Sequence, residues 1–247
     1  GVAGIGPYEY LELLRRFGLP LGPKVVVMNI YEGNDLRDVL KHVKHAVSPG
    51  KSKIRGDSGP FAVSYALAFL KGAIEVTVKR FRKASSSAIP FGYTVQSEGA
   101  AVAMNPGNTD TDEVKHARKV LAGDVRFDVF APPIRAFADL AAEKGFAPVV
   151  TYIPSAYSAY RASVKFADET VGREVLEFSA AQRRWLAENA GQFGVHFIDM
   201  TPAFERAAAS GPLTHFPANV HLTPAGHKVV EAALAPHLKA LLAGRQE

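Results

Sequence analysis

The sequence predicts a three-layer α/β/α fold with a mostly parallel central sheet. Three short apolar runs rich in β-branched residues, at 24–30, 147–153 and 195–199, carry the prediction. Such runs suit parallel strands covered on both faces. Stretches of helical periodicity separate them, so the order reads strand, helix, strand, helix, strand, helix. The chain of 247 residues, 47% hydrophobic and 21% charged, is long enough to bury one sizeable core. We therefore read 1–247 as a single domain.

Taken in order, Pro7 opens a helix over 8–17, with Tyr10, Leu13, Leu14 and Phe17 on one face. Gly18, Pro20, Gly22 and Pro23 break it before the first strand, 24–30. Glu32-Gly33-Asn34-Asp35 stands at that strand's C-terminal end. Helix is expected over 36–47, a Gly-, Ser- and Lys-rich loop over 48–60, and a long apolar helix over 61–82. Lys71 and Glu75 interrupt that apolar run short of the roughly 18 residues a bilayer span requires. Segments 92–96 and 100–104 flank Ser97-Glu98-Gly99 and read as a hairpin. A polar turn fills 105–112, and residues 48–112 together read as an insertion within the domain.

Helix is expected over 113–121 and again over 127–144, where Pro132 and Pro133 force a kink or break. Pro154 ends the second strand, an amphipathic helix covers 179–193, and the last helix starts at Thr223-Pro224 and runs to about 242. The opening Gly1-Val2-Ala3-Gly4 reads as the middle of a loop, so we expect an N-terminal truncation, with a first strand upstream.

Several chemistries are excluded or unsupported. The chain has no cysteine, which removes thiol catalysis and thiolate metal sites. The histidines show no paired ligand spacing, so no metal is expected. No Gly-rich phosphate loop comes after a strand, and no cofactor is expected. The net charge of +5 and pI near 9.3 are mild, and nothing resembles a base-reading module, so nucleic acid is not an expected partner. The one basic run, Lys79 to Lys83, reads as the solvated end of a helix, with association of 61–83 with a membrane surface or another protein as the alternative.

In open α/β sheets, reactive groups gather beyond the C-terminal ends of the strands. Gly33-Asn34-Asp35 is placed there, as is the segment from Asn219 to His227. Gly56-Asp57-Ser58-Gly59 offers a serine, but a loop rather than a strand precedes it, so Asp57 and Ser58 read as a helix cap. Asp35 likewise reads as an N-cap, with a supporting hydrogen-bond partner at the site as the alternative. Ser155, Tyr157 and Tyr160 come after the second strand and read two ways: a sugar-binding rim, or a loop packing its own aromatics.

Gly1-Val2-Ala3-Gly4 with Tyr31-Glu32-Gly33-Asn34-Asp35-Leu36, and His221-Leu222-Thr223-Pro224-Ala225-Gly226-His227, resemble three sequence blocks of the SGNH (GDSL-type) hydrolases. The resemblance implies that Gly4 and Asn34 donate to the oxyanion of a tetrahedral intermediate and that His221 is the general base. It implies an ester hydrolase or O-acyltransferase with a Ser-His mechanism, acting on acetylated carbohydrate. A small ester or acylated glycan is then the substrate, and an extracytoplasmic location is expected. Two departures stand out. The Gly-Asp-Ser block is absent, and Asn219 occupies a position where the family has an acid that orients the histidine. The alternative they leave is a catalytically silent domain serving in glycan binding or assembly.

Overall fold

The computed structural model describes residues 5–47, 91–105, 111–219 and 221–244. Gly4, the 48–60 loop with Asp57 and Ser58, and the 61–82 helix lie outside the described residues. Two compact units divide the chain, Val43–Ile89 and the remainder. Of the first, only the end of one helix is described; the second holds both sheets.

Helix α1 (Pro7–Leu13) runs into a π turn over Leu14–Gly18 and a 3-10 turn over Leu19–Leu21. Strand β1 (Val25–Tyr31) and helix α2 (Asp35–Val47) come next. A hairpin pairs β2 (Tyr93–Ser97) with β3 (Ala100–Met104). Its two-residue turn holds Glu98 and Gly99 at φ +50° and +79°, the left-handed geometry that matches strand twist. Then come α3 (Thr111–Leu121), a 3-10 turn at Phe127–Phe130, α4 (Ala131–Lys144) and β4 (Ala147–Ile153). The chain closes with α5 (Ala156–Ala159), β5 (Lys165–Phe166), α6 (Glu169–Asn189), β6 (His196–Asp199), α7 (Thr201–Ala208) and α8 (Pro224–Ala243).

β1, β4 and β6 form a parallel sheet in that order, with helices on both sides; β3, β2 and β5 form a small antiparallel sheet. The α/β class is therefore as expected. β4 is the middle strand, and all of it but Pro148 is buried. Its apolar run behaves as the pattern predicts. β1 does not: only Met28 and Ile30 are buried, and Asn29 is exposed. The composition of a strand covered on both faces thus sits at the edge of the sheet, and no strand among the described residues bonds its outer side.

Other differences have local causes. The prolines at the start of α4 split the expected 127–144 helix into a 3-10 turn and an α-helix, because proline tolerates only the first turn. α6 starts ten residues earlier than expected, where Asp168 accepts from the N–H groups of Thr170 and Val171. After α1 the π turn adds backbone and rotates the residues beyond it, so Leu11 is buried while Phe17 is left outside. The hairpin packs through Phe91 and Tyr93 onto Tyr157, with ring centroids 5.7 and 5.9 Å apart. That contact fixes the hairpin over the C-terminal end of β4.

Candidate functional site

Beyond the C-terminal ends of β1 and β4 lies a small cavity of about 20 Å³, room for roughly one water. Tyr31, Ser155 and Tyr157 line it from the strand ends, Asn105 from the hairpin, Glu113 from α3, and Asn219 from the loop before α8. Phe91, Tyr93 and Met104 close it from the hairpin side, so the cavity is narrow and its lining mixes polar and apolar groups.

The turn after β1 is tightly held. Glu32 extends the strand ladder through its N–H to the Ile153 carbonyl. Its side chain is buried and accepts from Ser158 Oγ at 2.7 Å, Ser179 Oγ at 3.0 Å and the Ser155 N–H at 3.3 Å. Burial raises its pKa, and the serine hydroxyls offset part of that rise. The effect is to lock the loop after β4 to the loop after β1. Gly33 is required here, since a Cβ would be driven into the Glu113 carboxylate and the Tyr31 ring.

Asn34 is half-buried, and its Nδ2 donates to Asp38 Oδ2 at 2.7 Å. An amide carries two N–H donors, so this bond fixes the side chain and leaves the second donor without a partner among the described residues. Gly6 packs against the same Asp38, whose Cβ a side chain at Gly6 would meet at 3.0 Å. Asp38 thus brings Gly6 up to Asn34.

Asp35 is not an N-cap. Its Oδ2 accepts from the Tyr31 N–H at 2.8 Å and its Oδ1 from the Tyr10 hydroxyl at 3.0 Å, tying α1 to the end of β1. Burial pushes its pKa up to about 7, against the pull of those two bonds. A folded pKa above the unfolded one means stability that is full below about pH 4 and lost as pH rises through 7. His215 has the opposite sign. Buried between Thr214 Oγ1 and the Pro154 carbonyl, each 3.0 Å away, it has its pKa lowered to about 4 by burial, so its contribution is lost as pH falls. The two oppose each other between about pH 4 and 6.5. Asp35→Asn removes one of them. Thermal unfolding from pH 4 to 8 should show the variant gaining on the wild type as pH rises, by on the order of 4 kcal/mol at most.

His221 is exposed, in the loop that leads to α8. That loop is braced by Phe216 N–H to the His221 carbonyl, Thr223 N–H to the Thr214 carbonyl, and Thr223 Oγ1 to the Leu213 carbonyl. Asn219 Oδ1 accepts from the His221 backbone N–H at 2.9 Å and lies 3.0 Å from its Nδ1. The backbone donor requires an oxygen at that position, so the ring nitrogen facing it must carry the proton. Nε2 is then the lone-pair nitrogen, the form a general base needs. His227 is exposed on the first turn of α8, its N–H on the Thr223 carbonyl.

Tyr157 and Tyr160 do not form a stacking rim. Both rings are about 1% exposed, and the Tyr160 hydroxyl accepts from the Thr214 N–H at 2.9 Å. The loop packs its own aromatics, as one of the two readings had it, and only Ser155 and Tyr157 reach the cavity. Asn219 and Tyr31 share that cavity. Glu113 and Asn105 line the cavity and Glu32 braces the loops beside it, and sequence reasoning gave none of the three a role. Nothing but an acid directly after an apolar run marks Glu32, and the other two arrive from distant segments. No protein family, curated protein or solved structure matches this chain.

Proposed function

We propose that this domain is the SGNH-type part of an ester hydrolase or O-acyltransferase, with His221 as general base. The orientation of His221 by Asn219 Oδ1 carries the reading, because it leaves Nε2 free to take a proton from a serine and return it to the leaving alcohol. The second amide N–H of Asn34 and the N–H of Gly4 serve the oxyanion, a donor of this kind being worth roughly 3 kcal/mol. The serine comes from a strand N-terminal to this chain. The outer side of β1, which no strand among the described residues bonds, suits that strand, beside the turn that bears Asn34. The acetyl group and the carbohydrate alcohol rest on the resemblance alone, since the cavity has room for roughly one water and the Tyr157 and Tyr160 rings are both buried.

A second reading, a silent domain that binds glycans or assembles with partners, draws on the absent Gly-Asp-Ser block and on Asn219. An amide orients the ring but adds no charge to stabilise an imidazolium. Hydrolysis of p-nitrophenyl acetate by the natural protein separates the two. His221→Ala should lower the rate by roughly 10²- to 10⁴-fold, the usual share of acid–base catalysis. Equal rates in wild type and variant would refute the assignment.

A further inference from the structure

We propose that the pole opposite the candidate site docks on an anionic lipid surface through Phe17 and Leu21. These are the two most exposed large apolar side chains among the described residues, at 61% and 83%. The π turn and the 3-10 turn after α1 push them out at a tip, and Gly22, at φ +63°, returns the chain to β1. Lys24 comes next, its carbonyl bonded to the Ala147 N–H, which places the tip at the N-terminal end of the sheet. The cavity lies at the other end.

The charges around the tip favour an anionic partner. Arg15 pairs with Glu12 and Lys144 with Glu143, while Arg16 and Lys24 have no ion-pair partner among the described residues. Arg16 sits 5.4 Å from the Phe17 ring centroid. Apolar tips ringed by cations sit at the headgroup boundary, where the apolar groups enter the acyl region and the cations stay with phosphate. A second copy fits less well, because a two-fold contact at this tip sets Arg15 and Arg16 against their own mates. No described helix is long and apolar enough to cross a membrane.

Co-sedimentation of the natural protein with phosphatidylglycerol-containing and with pure phosphatidylcholine vesicles tests this. Binding should require phosphatidylglycerol and fall on the order of tenfold or more in F17S/L21S and in R15Q/R16Q. All four residues are exposed, so the variants should keep the wild-type melting temperature. Equal binding to both vesicles, or full binding by F17S/L21S, would overturn the proposal. So would a dimer in light scattering that depends on Phe17 and Leu21 without vesicle binding.

Discussion

Gly226→Ala is expected to destabilise the fold by about 3 kcal/mol and to disable His221 in the molecules that still fold. Gly226 is the one buried residue of α8, and a Cβ there would be driven into the carbonyl oxygen of Thr214. That oxygen cannot retreat, since it accepts the Thr223 N–H that closes the histidine loop. The obstacle is backbone, with no rotamer to move aside. At this chain length the cost corresponds to a fall in Tm of roughly 6–12 °C. Gly191→Ala is the control, because nothing lies within 4 Å of its Cβ, and it should change stability by no more than about 0.5 kcal/mol. Thermal unfolding of the two variants checks the contrast.

Asn219→Asp is expected to raise ester turnover by about 10²-fold. The exchange keeps both hydrogen bonds, to the backbone N–H and to Nδ1 of His221, and adds the charge that an imidazolium needs. In a serine protease the reverse exchange of a buried aspartate costs about 10⁴. Asn219 and His221 are both exposed, and water weakens their mutual field, so the smaller factor is the one to expect. Initial rates with p-nitrophenyl acetate on the natural protein measure it.

Much of this fold was legible because periodicity reports local structure. The three strand runs, the hairpin about Glu98-Gly99 and the last helix at Thr223-Pro224 all lie where their patterns put them, within a residue or so. What periodicity does not report is lateral order. The runs that became β1 and β4 are alike in composition, yet among the described strands one is the edge and the other the centre, because strand order is set by long-range pairing. Phase was lost at the π turn, which hides in an ordinary helical pattern and sends Phe17 outward. In the site, Asn219 and His221 were legible as neighbours two residues apart. Glu113 was not, since it meets Gly33 from 80 positions away along the chain.

Labelling with a fluorophosphonate is the most direct test of His221 as the base of a serine-dependent ester site. On the natural protein, mass spectrometry should find one adduct, on a serine N-terminal to Gly1, lost in His221→Ala and retained in His227→Ala. No adduct, or an adduct formed equally well without the imidazole of His221, would contradict the account.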